Sequence, residues 1–236
     1  MEIKNRAGSE ETSMSFNIAI DGPAGAGKST IAKKIAKELG FVYVDTGAMY
    51  RAMALYFLRS NISNEDEQAI SRASENVEIT IQYENGEQQV FLNGENVSGE
   101  IRKEEVGNMA SKTSGYGQVR KKLVELQQQL AKKADVVMDG RDIGTVVLPD
   151  AQVKVYLTAS VATRAKRRYD ELSEKGQECN LEKIEADIEQ RDYQDMHREN
   201  SPLRQAEDAT LVDSSNMSIE EVVAAIKKLY EDVCNA

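Results

Sequence analysis

The sequence predicts an α/β protein: a five-stranded parallel sheet flanked by helices, with a phosphate-binding loop after the first strand and a small antiparallel insertion. Three observations predict it. Gly22-Pro23-Ala24-Gly25-Ala26-Gly27-Lys28-Ser29 fits the P-loop pattern G-x-x-x-x-G-K-[ST] directly after the apolar run Phe16 to Ile20, where a buried strand should end. Short apolar runs alternate with helical-period segments along most of the chain, as crossover helices between parallel strands require. Between Val77 and Val97 the period changes to two, with Asn85-Gly86 and Asn93-Gly94 as hairpin turn signals.

The elements follow in order. Lys28 to Leu39 carries Ile31, Ile35 and Leu39 at helical spacing, and Gly40 is a stop signal. Phe41 to Val44 reads as a second strand, and Asp45-Thr46-Gly47 turns it into a helix from about Ala48 to Arg59. That turn closes a strand at its carboxyl end, where open α/β sheets place ligands. Asn64 to Ala73 is expected to be a helix capped by Asn64, with Glu67 completing a capping box. After the insertion, Lys103 to Lys112 and Val119 to Lys133 return to helical spacing. Val136 to Met138 and Val153 to Leu157 suit central parallel strands. Ser160 to Glu174 and Leu181 to Glu199 are long charged helices, followed by a strand at Leu211-Val212 and a helix opened by Ser218 and Glu221.

The chain has 236 residues, 40% of them hydrophobic, enough to bury a full core. Its formal net charge of -10 disfavours a general attraction to nucleic acid or anionic membrane, so any anion must be held by local basic clusters. Cys179 and Cys234 are far apart, without a C-x-x-C pair, which suits a reducing cytoplasm rather than a disulfide framework or a zinc site. No stretch approaches the roughly 18 apolar residues of a membrane span, and the polar start reads as a flexible leader over 1–14.

In a P-loop, glycines allow turns that a side chain would block, successive backbone N–H groups converge on a polyphosphate, and the following helix aims its positive end at the anion. Gly22 through Thr30 would therefore hold a polyphosphate such as that of ATP, with Lys28 reaching the β- and γ-phosphates and the Ser29 hydroxyl ligating Mg²⁺. Val136-Val137-Met138-Asp139 could orient the magnesium shell through water, although strands often end in Asp before a turn. Arg51, Arg120, Arg141, Arg164, Arg167, Arg168, Arg191 and Arg198 fall near strand ends, helix starts or the later helical pair. Guanidinium forks suit a site for two phosphates, while a solvated helix face is the alternative for each.

The single histidine, His197, cannot build a Ser-His-Asp or metal constellation. A phosphate acceptor, with a second pKa of about 6, is already largely dianionic at neutral pH and needs no general base. A hydroxyl acceptor would more often want a placed carboxylate, for which Asp45 or Asp142 could serve.

Together the motifs resemble bacterial cytidylate kinases, small P-loop nucleoside monophosphate kinases. The likeness runs through IDGPAGAGKST, DTGAMYR, GENVSGEIR, NMASKTSGYGQVRKKL, MDGRDIGTVV, TRAKRRYDEL and RDYQDMHRENSPL. GKST alone names a superfamily, whereas the ordered set is highly specific. The resemblance implies transfer of the ATP γ-phosphoryl group to CMP or dCMP by a monomer. Thr46, Tyr50 and Arg51 would line the monophosphate pocket, and Ser111, Arg120, Arg141 and Asp142 would surround the cytosine and its phosphate. Arg191 and Asp195 would hold ribose hydroxyls and Arg198 phosphate, all three on one helix face at i, i+4 and i+7. Arg164 and Arg168 resemble lid arginines that close on ATP; with Lys28, Arg141 and Arg198 they complete the expected catalytic set. The implied organisation is a kinase core at 15–74 and 113–236, a lid at about 164–182, and a CMP-binding insertion at 75–112.

The nearest rival is another small P-loop kinase, for adenylate, uridylate or a metabolic alcohol. A nucleotide-binding switch module would call for an N-K-x-D guanine reader, which the sequence lacks.

Overall fold

A computed structural model describes residues 15–236; the leader expected over 1–14 lies outside the described residues. The chain divides into two compact units, one built from Asn17–Tyr43 with Val136–Ala236 and the other from Val44–Asp135.

The first unit is organised by the parallel sheet. Strands β1 (Asn17–Asp21), β2 (Val42–Asp45), β6 (Val136–Gly140), β7 (Val153–Thr158) and β8 (Thr210–Asp213) lie in the order β2-β6-β1-β7-β8. In register, Ile18 faces Val137 on one side and Val153 on the other, and Val155 faces Thr210. Ile18, Ile20, Val137, Met138, Val155 and Leu157 are almost entirely buried, each worth about 2 kcal/mol of apolar transfer. The β1, β6, β7 and β8 carboxyl ends carry Asp21, Asp139, Thr158 and Asp213, so polar side chains stand where the hydrophobic strands stop.

Helix α1 (Lys28–Leu39) buries Ile31 and Ile35 and ends at Gly40, whose left-handed φ of 71° allows its N–H to reach the Ala36 carbonyl. Helix α8 (Ile219–Cys234) packs beside it through Lys34–Glu220 and Lys227–Glu38 ion pairs and an edge-to-face Phe41–Tyr230 contact. Its expected capping box is present: Ser218 Oγ accepts from Glu221 N–H while the Glu221 carboxylate accepts from Ser218 N–H. Helices α6 (Val161–Glu174) and α7 (Leu181–His197) pack as a pair, each capped by a side chain, Ser160 and Asn180.

The second unit holds α2 (Thr46–Arg59), α3 (Glu67–Glu75), α4 (Glu104–Thr113), α5 (Gly117–Ala131) and the antiparallel sheet β3 (Ile79–Glu84), β4 (Glu87–Leu92) and β5 (Glu95–Asn96). All four residues of the Asn-Gly turns have positive φ, 52° and 82° at Asn85-Gly86 and 50° and 84° at Asn93-Gly94, the conformation for which the pair was expected. Helix α3 differs from expectation: Asp66, not Asn64, is its cap, accepting from the Ala69 N–H at 2.9 Å. The core of this second unit includes Met49, Met53, Phe57, Ile70, Val106 and Leu123.

Candidate active site

The glycine loop leaves β1 by a route only glycine can take. Gly22 has φ 151°, and a Cβ there would stand 1.9 Å from the Leu157 carbonyl oxygen on β7. Gly25 and Gly27 also have positive φ, 75° and 86°. Helix α1 then starts at Lys28 with no side-chain cap, so its first N–H groups have no intrahelical partner and form the dipole end of an anion cradle.

Lys28 is 6 % exposed, and its ammonium donates to the Pro23 carbonyl at 2.8 Å. Burial, and then the positive charge of Arg141, push its pKa down to about 7, against the pull of Asp139 and Asp21. The Ser29 hydroxyl donates to Asp139 Oδ2 at 2.9 Å, and Tyr43, a partner not anticipated from sequence, donates to Asp139 Oδ1 at 2.9 Å. Asp139 is 4 % exposed. A hydroxyl and a carboxylate oriented on one another are hard oxygen donors, a set that fits Mg²⁺ when phosphate supplies further ligands.

Four sequence-predicted residues form a chain of alternating charge. Arg141 Nε donates to Asp195 Oδ2 at 2.7 Å, Arg198 NH1 lies 4.0 Å from Asp195 Oδ1, and Arg198 NH2 lies 3.7 Å from Asp142 Oδ1. Arg198 Nε also donates to the Ser201 carbonyl at 2.7 Å, at the positive-φ turn after α7. Asp142 is 4 % exposed and opens a π-helical turn, Ile143–Val147, in which the Leu148 N–H reaches the Ile143 carbonyl.

Arg164 and Arg168, expected as a lid pair, are placed differently from one another. Arg164 is 3 % exposed, and all three of its nitrogens are engaged: Nε with the Ala159 carbonyl, NH1 with the Ala24 carbonyl of the glycine loop at 2.9 Å, and NH2 with Asp192 at 2.6 Å. Arg168 is exposed and pairs with Glu171 at 2.8 Å. Arg191 is exposed. Asp192 escaped the sequence analysis, although it sits three residues before Asp195 on the same helix face, a spacing that could have flagged it. His197 is exposed and stacks on Tyr193 with ring centroids 4.1 Å apart.

A further buried carboxylate, Asp21, went unremarked in the sequence. Its two oxygens accept the Ile143 and Gly144 N–H groups at 2.7 Å each. Burial pushes its pKa up to about 6, with the two amides opposing.

In the second unit, Thr46 is 3 % exposed at the start of α2, where Asp45 caps the helix through the Ala48 N–H at 2.9 Å. Arg51 is exposed one turn further along, its NH1 3.5 Å from where a Gly47 Cβ would be. The Arg120 guanidinium stands 5.7 Å from the Tyr50 ring centre and donates to the Ser114 carbonyl at 3.2 Å. The Ser114 hydroxyl donates to the carbonyl of Ser111, which is half-buried. Thus Tyr50, Ser111 and Arg120 gather around the turn between α4 and α5. Gln88 of β4 was not anticipated: its amide exchanges two hydrogen bonds with the Asp45 backbone, at 2.8 and 3.2 Å.

A glycine loop after β1 of a parallel sheet, a buried lysine, and Arg141, Arg164 and Arg198 joined to carboxylates of α7 define a P-loop phosphate-binding protein. A family model for cytidylate kinases matches residues 18–232, and the chain belongs to that family. It is 52% identical over 216 residues to a cytidylate kinase of Lactobacillus johnsonii, covering 92% of this chain and 94% of that one. Identity is also 52% over 218 residues to a cytidylate kinase of Caldicellulosiruptor saccharolyticus, covering 92% and 96%. Among solved structures, an uncharacterized protein from Eubacterium ventriosum aligns with a TM-score of 0.50 over 92% of this chain and 99% of that one, at 12% identity, a likeness of fold alone.

Proposed function

We propose that the protein is an ATP-dependent CMP and dCMP kinase, transferring the γ-phosphoryl group of ATP to the 5′-phosphate of the acceptor and releasing ADP and the diphosphate. Family membership supports the activity. The observation that carries it is the setting of Lys28: a buried ammonium on a glycine loop, in one unit with Arg141 and Arg198, while the single histidine is exposed and stacks on Tyr193.

That setting suits an acceptor that brings its own nucleophile. A phosphate oxygen with a second pKa of about 6 is charged at neutral pH and attacks the γ-phosphorus in line, so no side chain has to remove a proton. The new P–O bond forms as the bond to the ADP oxygen breaks. Lys28 bridges the β- and γ-phosphates, Gly22 to Thr30 hold the polyphosphate by backbone N–H groups, and Arg141 and Arg198 neutralise the charge that gathers between the substrates. Arg141 meets Asp195 chiefly through Nε, one of five N–H donors, so a carboxylate orients the fork without consuming it. Mg²⁺, held by Ser29 and through water by Asp139, would supply charge neutralisation at the β- and γ-oxygens.

On the acceptor side, Thr46, Tyr50 and Arg51 would meet the monophosphate, and Arg191 with Asp195 the sugar hydroxyls. Cytosine offers an amino donor, which Ser111 and Asp142 can accept, and O2 and N3 acceptors, which Arg120 can satisfy. Uracil places a carbonyl where that amino group was, leaving the buried Asp142 carboxylate facing an acceptor. Arg168 would reach ATP from α6, whereas the three anchors of Arg164 support a positioning role, tying α6 and α7 to the glycine loop. Two free thiols suit a reducing cytoplasm, and the family resemblance suits a monomer. Among the described residues no helix is long and apolar enough to cross a membrane.

The test is ADP release with CMP, dCMP, UMP and AMP as acceptors in the presence of Mg²⁺; ATP binding without phosphorylation of any pyrimidine monophosphate sinks the proposal. Asp142→Ala should cut the preference for CMP over UMP by about a hundredfold, and an unchanged preference removes its base-reading role. Arg198→Ala should lower turnover with every acceptor alike by roughly two orders of magnitude.

A further inference from the structure

Asp142 stands in the N-cap position of the 143–147 turn, yet its side chain makes no cap. An aspartate there ordinarily folds back to accept an N–H of its own first turn, which is the reason the residue is favoured at helix starts. Here that work is done from another strand. Asp21, 122 residues earlier at the end of β1, takes the Ile143 N–H on Oδ1 and the Gly144 N–H on Oδ2, both at 2.7 Å. It is 5 % exposed, and the Gly144 Cα approaches so closely that an added Cβ would lie 3.4 Å from Oδ2 and 3.3 Å from Lys154 Cδ.

Burying a carboxylate is costly, and burial here outweighs the two amides in the shift of its pKa. Apolar side chains could join the same segments at lower electrostatic cost, but they could not claim two specified N–H groups. What the carboxylate contributes is the occupation of the Gly144 N–H, a donor that an N-cap side chain would take, and the Asp142 carboxylate stands instead 3.7 Å from Arg198.

We propose that Asp21 is a positioning residue for substrate selection: by capping the 143–147 turn in place of Asp142, it holds the Asp142 carboxylate out for the acceptor base. This rests on Asp142 reading the base, as proposed above. In an Asp21→Asn variant the single carbonyl oxygen accepts one N–H and the amide opposes the other. The Asp142 side chain then turns inward to cap the orphaned donor.

The test is a double-mutant cycle of Asp21→Asn and Asp142→Ala, measuring KM and kcat for CMP, UMP and ATP with circular dichroism as a check of fold. For Asp21→Asn the expected result is about a tenfold rise in KM for CMP, a matching loss of preference over UMP, and KM for ATP within about twofold of wild type. In the Asp142→Ala background Asp21→Asn should add almost nothing, a non-additivity that general loss of stability does not produce. Equal loss of kcat for CMP and UMP at wild-type preference, or additive effects, overturns the inference while leaving the base-reading role of Asp142 in place. Should Asp142→Ala itself keep the wild-type preference, that role falls and this inference with it. If Asp21→Asn does not fold, Gly144→Ala presses on the same clamp and should loosen CMP preference in the same sense. A folded Gly144→Ala with wild-type preference, or failure of both variants to fold, overturns it.

Discussion

The two units anchor the arginines of the candidate site through different groups. In the unit with the glycine loop, Arg164 reaches Ala24 across 140 residues and Arg141 reaches Asp195 across 54. In the unit built on α2 to α5, Arg120 is held by the Ser114 carbonyl six residues away and by the face of Tyr50. Arg141 and Arg164 are thus tied to other elements by carboxylates of α7, whereas Arg120 takes its position from the turn before its own helix and from an aromatic face on α2. A carboxylate partner also lets two guanidiniums share one anchor, as Arg141 and Arg198 do at Asp195.

Breaking the first kind of anchoring should have the larger consequences. Lys28→Ala removes the only lysine on the loop and should lower kcat by about a thousandfold with little change in the melting profile, read by coupled ADP release and by thermal unfolding. Arg164→Ala should destabilise the fold by about 3 kcal/mol, because it leaves Asp192 buried without its counter-ion; urea unfolding measures it, and a loss under about 1 kcal/mol would show the three anchors to be redundant.

The pH dependence of Asp21 comes next in size. Its folded pKa of about 6 lies above the ordinary carboxylate value of 3.8, so the native state binds the proton more tightly and its stability contribution is present at low pH and lost as pH rises through 6. Asp142 faces it and favours the proton, and Lys28 and the two amides oppose it. Between pH 5 and 7.5 the wild type should therefore lose about 1.5 kcal/mol relative to Asp21→Asn, read as converging or crossing urea midpoints. A constant gap would contradict the shifted carboxyl. The smallest effect belongs to the local unit: Gln88→Ala should cost about 1 kcal/mol through its two bonds to Asp45, with KM for ATP unchanged.

What was legible in the sequence divides by distance along the chain. The glycine loop, the Asn-Gly hairpins and the Ser218–Glu221 box are local devices, and spacing alone reveals them. Near Asn64 the local signals compete. Asn64 and Asp66 are both good caps, and Asp66 won by reaching the Ala69 N–H. The spacing of Arg164 and Arg168 indicated a shared helix, yet one is buried among carbonyls and the other pairs with Glu171 at the surface, because what packs against α6 is decided elsewhere in the chain. The π-helical turn after Asp142 was invisible for a related reason: the carboxylate that caps it belongs to β1. Thr46, Tyr50, Ser111 and Arg120 came from motif resemblance, and their gathering around α2 and the α4–α5 turn is not a consequence that periodicity could supply.

Gly22 has a practical bearing on how loop variants are interpreted. With the Leu157 oxygen occupying the space of any methyl group, an alanine there would have to push β1 and β7 apart before a nucleotide was ever encountered. Gly25 is more forgiving of volume, since its nearest neighbour would be the aliphatic stem of Arg164 at 3.4 Å. An inactive Gly22→Ala enzyme would thus report a sheet that no longer closes, and would say nothing about affinity for ATP.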